Sequence, residues 1–126
     1  MLDLRDMMII FSKGNNMTFA AGILFLSWHN GNLYVLLGKD HYDTYSDFGG
    51  KCDIVDNGNP IRTASREMYE ETCGSFMSIT DAQNVLNICD VIHTLSYTNK
   101  PYFMYVMFIQ YDQNICKNFN KIQSFI

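Results

Sequence analysis

The sequence predicts an α/β fold built on a mixed sheet, and three observations predict it. Apolar runs bounded by turn residues recur along the chain. One strongly capped helical segment, Pro60 to Cys73, interrupts them. The chain has 126 residues, 48% of them hydrophobic and 14% aromatic, enough for the core of one domain spanning residues 1–126. Strands flanking one well-capped helix bury their apolar faces as an α/β sandwich.

The elements follow in order. Met7–Phe11 is a short apolar run, closed by Ser12-Lys13-Gly14-Asn15-Asn16. Phe19–Trp28 is a longer one, and His29-Asn30-Gly31-Asn32 after it is a hairpin turn that returns Leu33–Leu37 as a partner strand. Lys39–Asp47 is polar and tyrosine-rich, as in a loop or irregular strand leading into Phe48-Gly49-Gly50. Asn59 is a good N-cap and Pro60 is preset for the first helical position. From Pro60 to about Cys73 the helix places Ile61, Ala64, Met68 and Thr72 inward, with Gly74 available as the cap at its end. Val85–Leu95 and Pro101–Tyr111 are the remaining strands, joined by Ser96–Lys100. Trp28 and the aromatic strand Tyr102–Tyr111 are core by default.

Composition narrows the function. A net charge of −4 leaves no broad basic footprint for nucleic acid. The four cysteines form no C-x-x-C pair and read as reduced thiols of a cytoplasmic protein. No basic leader opens the chain, and no apolar run reaches the length of a membrane span. No Walker loop exists, because neither Gly38-Lys39 nor Gly50-Lys51 continues into Ser or Thr.

The chemistry concentrates in Arg66-Glu67-Met68-Tyr69-Glu70-Glu71. All three glutamates of the chain lie there, while the ten other acidic residues are Asp. On a helix, Glu67, Glu70 and Glu71 stand at i, i+3 and i+4 and share one face. Three like charges so stacked are unfavourable unless a cation lies between them, and an all-oxygen donor set suits Mg²⁺ or Mn²⁺. The bland alternative is a solvated face with an ordinary Arg66–Glu70 pair. Upstream, the double glycine in Phe48-Gly49-Gly50-Lys51 lets the backbone approach a ligand closely.

These residues together resemble the Nudix family of pyrophosphohydrolases. The family box reads G-x5-E-x7-R-E-U-x-E-E-x-G-U, with U a bulky aliphatic. Gly50 stands at its first glycine, Asp56 at its first acid, and Arg66 to Glu71 fill R-E-U-x-E-E without a gap. Nine residues rather than seven separate Asp56 from Arg66, and the close of the box, Thr72-Cys73-Gly74-Ser75, is one residue longer than x-G-U and lacks the aliphatic. Insertions in a turn are cheap, so the two extra residues, somewhere in Asn57-Gly58-Asn59, are expected to bulge outward and leave the carboxylates in place.

The resemblance implies a Nudix-like α/β/α sandwich with the box as loop–helix–loop. It covers about Gly49 to Gly74 by motif and, more loosely, Phe19 to Tyr111 by strand order. The last segment, Cys116–Ile126, has room for one short element, so the domain is minimal or truncated. It also implies Mg²⁺- or Mn²⁺-dependent cleavage of a nucleoside diphosphate linked to another group. By the same carry-over, Glu67 and Glu71 are the principal metal ligands, Glu70 supports them, and the Gly50 carbonyl is a backbone ligand. Arg66 would orient the carboxylates through Asp56. In some members the general base is a box glutamate and in others a Glu from a late loop; no Glu follows Glu71 here, so the late role falls to Asp112, to Glu67 or to nothing. For substrate, Lys51 could meet a phosphate, His41 could touch the ligand, and Tyr42, Tyr45 and Phe48 could stack on a base. His29 and His93 read as structural. Two other functions stay open: an mRNA-decapping enzyme acting on capped RNA, and a non-catalytic Nudix-fold binding or regulatory module. A third reading is an unrelated α/β domain with solvated glutamates.

Overall fold

The sheet is organised around β1 (Ala20–His29), whose first eight residues are buried or half-buried. A strand with neighbours on both edges reads as a nearly continuous apolar run, which explains AAGILFLS. The computed structural model describes residues 18–39 and 44–115; the expectations for Met7–Phe11 and for Cys116–Ile126 lie outside them.

Along one edge of β1 run β2 (Asn32–Leu36) and, further back, β5 (Phe48–Lys51), both antiparallel to it. The β1–β2 turn is a two-residue loop with Asn30 at φ 51° and Gly31 at φ 78°, the left-handed pair that a tight hairpin requires. Two short strands, β3 (Gly38–Lys39) and β4 (Tyr45–Ser46), form a separate ribbon within the segment expected to be loop or irregular strand. On its other edge β1 is parallel to β7 (Pro101–Phe108), which is antiparallel to β6 (Asp90–Leu95). The order β2-β1-β7-β6, with β5 also on β1, is therefore a mixed sheet.

The crossover from β5 to β7 carries the helices. α1 (Pro60–Glu71) is capped by Asn59, whose side chain accepts from the Ile61 N–H at 3.0 Å, with Pro60 at its start. Its end is a Schellman arrangement. The Gly74 N–H reaches the Tyr69 carbonyl at 2.8 Å, and the Cys73 N–H the Glu70 carbonyl at 3.2 Å. Cys73 takes the left-handed C′ position expected of Gly74, at φ 53°, and Gly74 follows at φ 68°.

α2 (Ile79–Leu86) corrects the expectation of a strand from Val85 to Leu95. Only Asp90–Leu95 is extended. Ser78 accepts from the Asp81 N–H at 3.1 Å and starts the helix, which buries Ala82 and Leu86. The reason is periodicity: Ile79, Ala82 and Leu86 share a helical face, and an eight-residue element is too short for its apolar end to look different from a strand.

Both helices enter one core with Ala21, Ile23 and Phe25 of β1, Phe48 of β5, and Phe103, Tyr105 and Met107 of β7. Among the described residues this makes two layers, helices on one face of the sheet. Trp28, expected in the core, is 63% exposed. It is even-numbered in β1 and so points to the face turned away from the helices, at the hairpin end. Phe108, at the far end of β7, is exposed for the same reason. No helix among the described residues is long and apolar enough to cross a membrane. Among the described residues, Cys52, Cys73 and Cys89 form no disulfide with one another.

A carboxylate site on the double-glycine strand

Helical spacing brings Glu67 and Glu71 to the side of α1 that faces β5. The contact is close. A Cβ on Gly50 would lie 2.5 Å from the Glu67 carboxyl carbon, so a side chain there would push that carboxylate out of its place. The Gly49 amide faces the Glu71 carboxylate. Glu70 stands apart: it is 57% exposed, and both of its oxygens are 3.3 Å from Arg66 Nη1.

Arg66 ties the site together. Its Nε donates to Asp56 Oδ1 at 3.0 Å and its Nη2 to Asp56 Oδ2 at 2.9 Å, a forked pair. Nη1 donates to Glu67 Oε1 at 3.0 Å, and Nη2 also donates to the Lys51 carbonyl at 3.0 Å. Asp56 is only 2% exposed and accepts two further bonds, from the Asp53 N–H and the Thr63 hydroxyl, each at 2.8 Å. Burial pushes its carboxyl up, but the Arg66 fork and these two donors outweigh that and hold it below the usual range. The hydrogen bonds from Arg66 to Asp56, and then the charges of Asp56 and Glu67, raise the guanidinium against the opposing effect of burial.

The segment Asn57-Gly58-Asn59, where the resemblance puts two extra residues, is part of a turn before α1. Ile54–Asp56 is a 3₁₀ turn capped reciprocally by Asp53 and Asp56. Asn57 then takes φ 52° and Gly58 φ 73°. Asn57 and Asn59 are exposed, while Gly58 is tucked in. The outward bulge is thus Asn57, and Asp56 still reaches Arg66.

Arg66 answers part of the Glu67 charge, at 3.0 Å, and Glu71 has no ion pair among the described residues. Burial, then the charges of Glu67 and Asp47, push Glu71 up to about 8. Burial also raises Glu67, against the pull of Arg66. Among the described residues no three His, Cys, Asp or Glu side chains form a group that could hold a metal ion.

Sequence reasoning missed Asp47 and Tyr102. Asp47, in the link between β4 and β5, accepts from the Tyr102 hydroxyl at 2.6 Å. Burial raises both groups, and the hydrogen bond works in opposite senses on the two. They meet over Gly22 and Gly49, which are paired across β1 and β5. The one signal in the sequence was Gly22, a glycine within an otherwise unbroken strand.

The expected substrate contacts fare unevenly. Phe48 is a correction: it is 3% exposed and packs edge-on against Phe25 at 5.7 Å, so it belongs to the core and cannot stack on a base. Its position alternates with Gly49 and faces the helices. Tyr45 is 60% exposed on the ribbon, with Lys39 Nζ 5.7 Å from its ring. Lys51 is exposed at the end of β5, beside the site. His41 and Tyr42 lie outside the described residues. His29 stacks on Tyr111 at 4.0 Å and His93 meets Phe103 edge-on at 5.3 Å, both as structural contacts. Asp112 is remote. It lines a groove with Phe25, Ser27 and Tyr34, and Ser27 lies about 16 Å along β1 from Gly22, given the rise of an extended strand.

No protein-family model matches the chain, and no curated protein matches it.

Proposed function

We propose that this chain is a Mg²⁺- or Mn²⁺-dependent pyrophosphohydrolase of Nudix type, acting on a nucleoside diphosphate linked to another group. One observation carries the reading. Glu67 and Glu71 lie half-buried against the double-glycine strand, while Arg66, the adjacent cation, is committed to Asp56. Two carboxylates without a full counter-charge fit a hard divalent ion, and the donor set is all oxygen. Gly50 supports the same reading, because its lack of a side chain lets the Glu67 carboxylate lie directly against the strand backbone.

Glu67 and Glu71 would hold the ion, with the Gly50 backbone alongside. When bound, Mg²⁺ or Mn²⁺ neutralises charge on the pyrophosphate oxygens. The chain does the rest. Arg66 orients Glu67 through one nitrogen while Asp56 holds the guanidinium still. Lys51, exposed at the strand end, is placed to meet a substrate phosphate. With Asp112 at the other end of β1, Glu67 is the remaining box candidate to accept the proton of the attacking water. A sheet layered on both faces, as in Nudix domains, is part of this proposal.

The test is a panel of nucleoside diphosphate derivatives and capped RNA, assayed with Mg²⁺ or Mn²⁺. Metal-dependent release of a nucleotide from the derivatives is the expected result. Release from capped RNA alone would make the chain a decapping enzyme instead. Binding without any cleavage would make it a Nudix-fold binding module.

A further inference from the structure

The two edges of the sheet are built differently. β6 forms one edge, opens with the exposed Asp90 and carries His93 and Thr94. β2 forms the other, and among the described residues no strand pairs with its outer side. With the residue that follows it, β2 reads Asn32-Leu33-Tyr34-Val35-Leu36-Leu37, without a charge. No Asp, Glu, Lys or Arg occurs anywhere from Thr18 to Gly38, so the whole β1–β2 hairpin is uncharged. Exposed sheet edges are ordinarily guarded by charges, prolines or bulges. This edge has none of the three, since its pairing with β1 runs unbroken from Asn32 to Leu36.

The outer side of β2 offers backbone as well as side chains. A two-residue hairpin closes on a hydrogen-bonded pair, here His29 and Asn32. Pairs then alternate, so Tyr34 and Leu36 spend their backbone groups on β1 while Leu33 and Val35 turn theirs outward. Leu33, Tyr34, Val35 and Leu37 are each between 40% and 48% exposed, and Trp28, opposite Leu33 on β1, is more so. Their exposed apolar area is on the order of 500 Å², so two copies together reach the ~1,000 Å² that a specific interface needs. A second copy also suits the charge pattern. It meets an uncharged strand with an uncharged strand, free of the repulsion that a net charge of −4 causes elsewhere on the surface.

We propose that this chain forms a homodimer by antiparallel pairing of its β2 edges, which joins two sheets into one. A two-fold axis at Tyr34 sets Leu33 of each copy opposite Val35 of the other. The outward backbone groups then meet as hydrogen-bonded pairs, and the side chains stay on matched faces. The pairing uses the β2 edge of both copies, so the assembly closes at two. It lies at the hairpin end of β1, whereas β5, which carries Gly49 and Gly50, pairs with the other end. The dimer is therefore independent of the metal-dependent reading above.

The experiment is sedimentation velocity of the full chain from ~5 µM to ~500 µM, the range of an interface near the lower size limit. The expected result is a reversible monomer–dimer equilibrium within it. Val35→Lys puts a charge on the edge that pairing has to cover, and should weaken the dimer about tenfold or more. Ile92→Lys is the control. Ile92 is as exposed as Val35 and lies on the same face of the sheet, but on the β6 edge. Its dimer constant should stay within about twofold of the parent, because it is three strands away from β2. A parent that stays monomeric throughout, or that grows beyond a dimer, overturns the proposal. So does a parental constant in Val35→Lys. An equal loss in Ile92→Lys also overturns it, since that marks stacking of the sheet faces rather than pairing of the β2 edges. Should Val35→Lys not fold by circular dichroism, Leu33→Lys takes its place under the same criteria.

Discussion

At the scale of single residues, the site depends on how each charge is answered. Asp56 is nearly sealed from water and meets four donors. Arg66→Ala would leave it with two and strand a buried charge, at a cost of about 3 kcal/mol. Urea unfolding should show that loss as a lower midpoint at unchanged slope. Arg66→Lys should recover little, since an ammonium cannot make the fork. A midpoint within experimental error of the parent would mean the pair contributes nothing to folding. Glu71 has the opposite character, because its charge is resisted. Glu71→Gln should therefore leave the metal-free protein at least as stable at about pH 8.5, where the parent carries the unfavourable charge. Turnover should fall much further. Outer-shell partners of a metal are worth about 10- to 100-fold, so loss of a ligand is worth at least that. Full activity in this variant would remove Glu71 from the site.

At the scale of elements, the turn after α1 fixes where the helix ends beside the strand. Cys73 sits at φ 53°, where a side chain crowds its own backbone. Cys73→Gly should relieve that crowding and stabilise the protein by about 1 kcal/mol. Gly74 is the contrasting case. Its φ is 68°, and a Cβ there would lie 2.8 Å from the Tyr69 ring. Gly74→Ala should cost about 1–2 kcal/mol. Thermal melts of the two variants check the pair, and opposite signs are the required outcome. Equal effects would mean that the turn tolerates either residue and that the Schellman bonds do not govern the helix end.

At the scale of the whole molecule, the carboxylates couple folding to pH. Glu71, pushed up to about 8, and Glu67 and Asp47, also raised, keep protons in the folded chain that the unfolded chain has already released. Folding is then weakened as pH climbs from the ordinary carboxylate range through about 8. Asp56 has the opposite sign: its contribution is complete above the ordinary Asp value and is lost as pH falls through its lowered folded value. In EDTA the protein should therefore melt at least about 5 °C lower near pH 8.5 than near pH 5. Millimolar Mn²⁺ should remove most of that difference, because a ligand that binds only the folded state stabilises it. A flat profile in EDTA would show that these groups are not strained by one another.

Much of the molecule was legible in the sequence because it is governed by local chemistry. The β1–β2 hairpin follows from Asn30-Gly31, whose backbones accept positive φ. The start of α1 follows from Asn59-Pro60, and the sharing of one face by Glu67 and Glu71 from 3.6 residues per turn. The Arg66–Asp56 fork was expected from the family resemblance rather than from any local signal, and the two residues do meet. Tertiary structure alone decided the rest. Sheet parity sent Phe48 inward and Trp28 outward, and parity depends on which face the helices cover. The short helix Ile79–Leu86 exists because Ala82 and Leu86 meet the core, a contact that no local signal reports. Asp47 and Tyr102 meet only because the parallel pairing of β1 with β7 carries the tyrosine over two glycines that face each other in register. Such a contact between residues 55 positions apart leaves no trace in spacing, because the sheet, and not the chain, sets the distance between them.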